Sequence, residues 1–521
     1  MSRSSRIATN VASNWTGFAV NAAVALVLTP IILRELGEAR YGIWILTSSI
    51  IGYYGILDLG FRAGVNQFLT RSLAVPDFER ASNVISTAFV ALSLLGIGMA
   101  GISVVAASLV PRIFDLPTNT EQEAFWCILI IGMTAAIQCF LSPFSAVFVA
   151  KQRFDLSNLI SVSTRLLTAI GIFIALKRGY GLIGISLATG IGAILDYVIR
   201  WIVACRLVPA LQVSRHRSNL AQLREIGSFG IWNFLITVSD FIFLHVQPLL
   251  IAAFMPIAAV GHYALAAGLW YQINALFLPV GQVLYPSAAE LDVRGETDLT
   301  KRLYSDGTRF MLLIVWPIVM IAFFWSEDFY RLWIGEQYLS GDPFTSVASL
   351  LRIMLIATAL GYVSNVAAQI LLGAGHIRSL SLLKIFGAAI TLGLSLILIE
   401  NYGLVGIAAS IVVSAILADF VGITLVLQRK MALHCMLFIR PTWIRLTAIG
   451  LLLGTAFHGI RHMGPADTWL ALIMHGALAG ICTLIAVLSV GITTKERHRF
   501  LLLPAQSFIT KMTRRSTASE K

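Results

Sequence analysis

Residues 83–110 read NVISTAFVALSLLGIGMAGISVVAASLV, 28 residues without one charged side chain. An α-helix rises 1.5 Å per residue, so about 20 apolar residues cross the roughly 30 Å hydrocarbon core of a bilayer. A membrane β-strand would be about ten residues long and would alternate in polarity. This stretch is long and does not alternate, so it predicts a transmembrane helix. Runs of the same kind recur on both sides of it. They lie near 12–33, 42–69, 124–149, 157–176, 182–205, 228–254, 261–289, 309–325, 347–372, 380–399, 404–427, 446–460 and 469–492. With 83–110 they make about 14 spans. The expected fold is an all-α polytopic membrane protein.

The composition agrees. Of 521 residues 57% are hydrophobic and 12% charged, about half the charged share of a soluble domain. Mean hydropathy is +0.82. These values exclude a soluble enzyme, a disordered chain and a collagen-like fibre. Cys127, Cys139, Cys205, Cys435 and Cys482 are scattered, with neither C-x-x-C nor zinc-ligand spacing. They read as free, buried thiols. No cleavable signal peptide is expected, because the first apolar run is nearly a full span and no A-x-A follows it.

The net charge of +12, from 38 Lys and Arg against 26 Asp and Glu, is unevenly spread. The N-terminus, the loops after even-numbered spans and the C-terminal tail hold about 26 of the cations, and the opposite loops about seven. The positive-inside rule then puts both termini in the cytoplasm. The tail cations Lys511, Arg514 and Arg515 read as topology and anionic-lipid signals, not as a nucleic-acid surface. Loops are short, which leaves no room for an extramembrane catalytic domain. There is no G-x-x-x-x-G-K-[ST] phosphate loop.

The chain also repeats itself. Tyr180-Gly181-Leu182-Ile183-Gly184-Ile185 recurs as Tyr402-Gly403-Leu404-Val405-Gly406-Ile407, offset by 222. Asn14 and Gly42 pair with Asn233 and Gly261 at offset 219, and 150–153 pair with 373–376. Six spans separate equivalent positions, so both halves run in the same direction. The expected organisation is two parallel six-helix lobes around a central cleft. Residues 1–225 form the first lobe and 226–430 the second. Residues 431–521 add two helices and the basic tail.

Residues 36–71 read LGEARYGIWILTSSIIGYYGILDLGFRAGVNQFLTR. The pattern LG…YGIW, a tyrosine-rich stretch, then LDLGF..A.....TR resembles polysaccharide transporters of the multidrug/oligosaccharidyl-lipid/polysaccharide exporter superfamily. These include the Wzx-type flippases. The resemblance covers roughly 1–430. It implies a bacterial inner-membrane flippase that turns undecaprenyl-pyrophosphate-linked oligosaccharide units over by alternating access. The pathway would be O-antigen, capsule or exopolysaccharide synthesis. Its partners would be the lipid-linked oligosaccharide, membrane lipids and the polymerase or export machinery. No cofactor is implied beyond proton or sodium coupling.

Charges within spans carry the functional expectation, since each costs about 2.5–3.5 kcal/mol at mid-membrane. Arg62 and Asp58 are four residues apart on one helix face. Either Arg62 meets the pyrophosphate while Asp58 holds it, or the two neutralise each other. Arg165 lies about nine residues into its span with no acidic neighbour at helical spacing, roughly 14 Å deep. It is the leading candidate for a cavity cation. Lys384 sits in the corresponding span of the second half. Arg352 sits near the outer end of the tenth span, where a side chain can also snorkel. Asp240, mid-way along the seventh span, is the candidate for ion coupling or gating. Where the family places a basic residue after this Asp, this chain has Phe241. Asp196 with Arg200 reads as a structural pair. Two other classes stand beside the flippase: a cation-coupled multidrug extruder, which would want carboxylates, and a membrane glycosyltransferase or polymerase, which would want a large outer loop.

Overall fold

The computed structural model describes residues 3–491 apart from 76, 115, 118–119, 215–217, 220–222, 224–230, 283, 342 and 432–434, and no side chain in 3–14, 55–60, 63, 231–233, 244, 282 or 435–445. Among the described residues the chain is all-helical. Its helices are α1 (Arg3–Leu36), α2 (Glu38–Gly52), α3 (Tyr54–Ala74), α4 (Phe78–Ile113), α5 (Glu121–Leu141), α6 (Ser145–Ala150), α7 (Phe154–Lys177) and α8 (Gly181–Leu207). They continue as α9 (Ile231–Phe254), α10 (Ile257–Ala275), α11 (Leu278–Gln282), α12 (Leu284–Val293), α13 (Thr297–Ile334), α14 (Val347–Gly361) and α15 (Asn365–Gly373). The last are α16 (Ile377–Ser414), α17 (Thr424–Met431), α18 (Cys435–His462) and α19 (Trp469–Ala486).

Ten helical segments among the described residues are long and apolar enough to cross a membrane, or eleven if one bent pair counts as a span. The apolar runs and the helices differ in instructive places. The run 42–69 is broken at Tyr53 into α2 and α3. The run 347–372 becomes α14 and α15, bent by 46°. The runs 380–399 and 404–427 stay two helical segments that fold back on each other at Gly403, which has φ +52°, with the Ser395 and Ser410 hydroxyls 2.7 Å apart and Ser414 donating to the Gly387 carbonyl. Hydropathy records burial in lipid and is blind to kinks.

The paired segments fold alike. Gly181 and Gly403 have φ +53° and +52°, a left-handed backbone that only glycine adopts cheaply. Gln152 and Gly375 share another left-handed position. Around them the amides of Lys151, Gln152 and Arg153 bond to the carbonyls of Val147, Val149 and Phe148, and those of Ala374, Gly375 and His376 bond to Ile370, Leu372 and Leu371. The same turn is built twice.

Contacts divide the chain into two compact units. The first is 1–268 with 342–345 and 377–414. In it α4 packs on α5, α7 on α8, α1 on α7, and α9 on α16. Its core joins Leu69, Ile85, Val147, Phe148 and Ala204. The second is 269–341 with 346–376 and 415–521. There α13 packs on α14, α18 and α19, with Trp325, Leu446 and Phe457 at the core. Outward faces are apolar in both units, as at Ile97 and Leu470, which suits a lipid surround.

Candidate functional site

The first unit carries an open pocket of about 270 Å³ beside Arg165, lined in part by polar side chains. Ser161, Thr164, Arg165 and Thr168 of α7 line it, a spacing of three and four that puts them on one helix face. Thr189, Asp196 and Tyr197 of α8 face them, with Asn21 from α1 and Gln138 from α5. Four helices thus carry polar side chains into one space from otherwise apolar runs.

The charges in this cavity are not equivalent. Asp196 pairs with Arg200 at 2.5 Å, their side chains only 17% and 11% exposed. Thr164 donates to the other Asp196 oxygen at 3.0 Å. Arg200 donates further to the Ser157 hydroxyl (2.7 Å), the Ser157 carbonyl (3.1 Å) and the Ser161 hydroxyl (2.5 Å). Its guanidinium lies 5.8 Å from the centre of the Phe148 ring, a cation–π arrangement. This pair is neutral and its hydrogen bonds are satisfied. Arg165, by contrast, makes no hydrogen bond or ion pair among the described residues and is exposed to the cavity. The Thr189 hydroxyl is buried and likewise has no partner among them. The net charge of the site is therefore that of Arg165. Arg153, just before α7, bonds to Asp155 at 3.0 Å, which raises its guanidinium above the ordinary value.

The other expected residues have different surroundings. Arg352, on α14 in the second unit, donates to the Phe323 carbonyl at 3.1 Å and to Glu327 at 3.2 Å. Glu327 also accepts from Arg461 at 2.7 Å, so one carboxylate bridges two arginines. Arg62 is half-buried on α3 and Lys384 half-buried on α16. The side chain of Asp58 lies outside the described residues. Asp240 is exposed on α9, five residues before His245. The His245 ring stacks near Phe241 (5.1 Å) and near Tyr53 at the α2–α3 break (6.1 Å). Among the described residues no three His, Cys, Asp or Glu converge as metal ligands.

Sequence reasoning missed Asn21, Gln138, Thr189 and Tyr197. Their signal was present in part: Gln138 is a solitary amide in an apolar run, and Asn21 lies seven residues, two helical turns, after Asn14 in another. It also missed Glu327 as the partner of Arg352.

An all-helical fold with apolar outward faces and polar side chains gathered from α1, α5, α7 and α8 around Arg165 is that of a polytopic membrane protein. A family model described as polysaccharide biosynthesis protein matches residues 31–343. The chain belongs to that family. It is 20% identical over 501 residues to the membrane protein EpsK of Bacillus subtilis, covering 94% of this chain and 97% of EpsK. It is 20% identical over 404 residues to a putative O-antigen transporter of Shigella flexneri, covering 76% and 92%. Its fold is similar to that of the lipid II flippase MurJ in an inward closed conformation, with TM-score 0.65 at 14% identity, over 89% of this chain and 97% of that one. An inward-facing multidrug transporter of the MATE family has TM-score 0.57 at 15% identity, over 79% and 98%.

Proposed function

We propose that this protein moves undecaprenyl-pyrophosphate-linked oligosaccharide units across a bacterial inner membrane by alternating access. The observation that carries the reading is Arg165, an unspent guanidinium in a polar, membrane-embedded cavity. A pyrophosphate brings about two negative charges and cannot cross a dry slot without large desolvation cost. A guanidinium offers it charge-assisted, bidentate hydrogen bonds. Thr189, Asn21 and Gln138 supply further polar contacts for a hydrated head group. The Shigella relative, named a putative O-antigen transporter, supports the same substrate class.

In this reading fourteen spans form two six-helix lobes, 1–225 and 226–430, with 431–521 added and both termini in the cytoplasm. Arg62 and Lys384 are further cations on the path. Asp240 serves ion coupling or gating, and Asp58 orients Arg62. Arg352 contributes on the outward side through its network with Glu327. The product passes to a polymerase or export machinery.

The alternative is a cation-coupled drug extruder, which the MATE-like fold also accommodates. A site for cationic drugs needs a free carboxylate, and the Asp196 carboxylate is already neutralised by Arg200. The test compares Arg165→Ala with Arg165→Lys in cells that make a surface polysaccharide. Loss of polymer export in the first, with partial retention in the second at equal protein level, is expected. Full export by Arg165→Ala overturns the assignment.

A further inference from the structure

The helix α18 ends in His458-Gly459-Ile460-Arg461-His462. The two histidines are four residues apart, so both rings stand on one face of the last turn. Their Nε2 atoms are 3.0 Å from each other, and the rings cross at 85° with centroids 4.4 Å apart. Both residues are exposed. The face is apolar one turn pair earlier, where Leu451 is 67% exposed. A Cβ on Gly459 would meet nothing within 4 Å, so the space beside the first ring is open. Arg461, between them in sequence, is engaged elsewhere and donates to Glu327 at 2.7 Å.

We propose that His458 and His462 form a binding site for a transition-metal dication of the Zn²⁺ or Cu²⁺ type. Imidazole nitrogens hold such ions at about 2.0–2.1 Å, and two of them about 90–109° apart stand roughly 2.8–3.4 Å from each other. The observed 3.0 Å lies inside that range, so turning the rings seats the ion without moving the backbone. In the metal-free neutral pair, Nε2–H of one ring faces the Nε2 lone pair of the other. On binding, the donor ring carries its proton on Nδ1 instead, both Nε2 lone pairs face the ion, and no net proton is lost. Water completes the coordination, since among the described residues no cluster of three ligands forms. The same spacing holds zinc in H-E-x-x-H helices. Here Gly459 stands where that motif has its general base, so the site binds metal and does not hydrolyse. The C-terminal end of a helix carries partial negative charge and favours a cation. An ion held by one ring meets the second at a high effective concentration, which multiplies affinity about 10²–10⁴-fold. The ion staples the turn that presents Arg461 to Glu327. In the orientation proposed above this turn faces the outside, where such ions arrive without crossing the membrane.

The experiment uses the full chain, purified in detergent through a tag without histidine, stripped with EDTA and titrated calorimetrically with zinc chloride. One zinc per chain is expected, and magnesium, which prefers oxygen ligands, should not compete. His458→Ala and His462→Ala should each weaken binding about a hundredfold. His376→Ala, in the turn between α15 and α16, should leave it intact. Zinc should raise the melting temperature of the unaltered chain and of neither variant. Bound Cu²⁺ should show nitrogen hyperfine coupling from two imidazoles in its paramagnetic resonance spectrum. His458→Gln and His462→Gln keep a hydrogen-bonding side chain without an imidazole, and should lose zinc like the Ala variants even where those are less stable. Zinc that binds the variants as tightly sits elsewhere, at thiols such as the exposed Cys205, and overturns the assignment. No binding by the unaltered chain at submillimolar zinc reduces the pair to a hydrogen bond and overturns it as well.

Discussion

Gly42 and Gly261 meet through bare backbone. A Cβ built on Gly261 would stand 3.7 Å from the Gly42 nitrogen and 3.1 Å from the Tyr41 ring, and one built on Gly42 would run into the Ile257 carbonyl oxygen. These glycines are the pair related by the 219-residue offset. Glu38 and His262 lie beside them at 3.6 Å. Side chains cannot enter where the first turns of α2 and α10 touch.

Gly42→Ala should therefore destabilise the protein by about 1–3 kcal/mol, the usual cost of overpacking. Gly261→Ala should cost less, because a tyrosine ring yields more readily than a carbonyl fixed in a helix. Thermal unfolding of the two purified variants compares them directly. Equal melting temperatures would show that the close approach does not limit packing.

Arg165 and Arg200 are both arginines beside one cavity, yet their replacements should diverge. Arg200→Ala strands Asp196 in a site where both side chains are mostly buried, a loss of about 3–5 kcal/mol when one partner of a buried pair is removed. Adding Asp196→Ala should recover part of that loss. Arg165→Ala removes a cation with no partner among the described residues, so stability should be unchanged or higher while transport falls. Melting curves and export assays on the same preparations separate the two effects.

Glu327 joins Arg352 to Arg461, and the side chains are 23–38% exposed. Pairs this open contribute only about 0.2–1 kcal/mol each. Arg352→Ala should be mild, because Glu327 keeps Arg461. Glu327→Ala should cost more than either arginine replacement, since it leaves two cations facing each other. A double-mutant cycle measures the coupling, and additive effects would show that the bridge is idle.

Orientation has a direct readout. Single cysteines replacing Gln152 and Gly179, in a chain cleared of its own cysteines, should react with a membrane-impermeant maleimide from opposite sides. The expected result is protection of Gln152→Cys and labelling of Gly179→Cys in intact cells. The reverse pattern would invert the assignment made from loop charges.

Much of the architecture is written locally. The all-helical membrane fold follows from uncharged runs such as 83–110, because lipid leaves the backbone no partner outside its own helix. The turn at Tyr180-Gly181 and its copy at Tyr402-Gly403 are equally readable, since glycine takes a positive φ at the least steric cost. The Asp196–Arg200 pair follows from i,i+4 spacing on one helix. Arg165 stands out for the opposite reason: nothing at helical spacing neutralises it.

The partners of the remaining charges are set by contacts far apart in the chain. Arg461 lies 134 residues from Glu327, and no periodicity announces that they meet. The break at Tyr53 and the 46° bend between α14 and α15 are invisible to hydropathy, which cannot tell a straight helix from a kinked one. Sequence by itself determined that the chain is an all-helical, multiply spanning membrane protein and which charged residues stand in its apolar runs, because both follow from the solvent each side chain prefers. Only the tertiary structure decided that Arg165 shares a pocket with Asp196, Thr189, Asn21 and Gln138, because that depends on which helices stand next to each other.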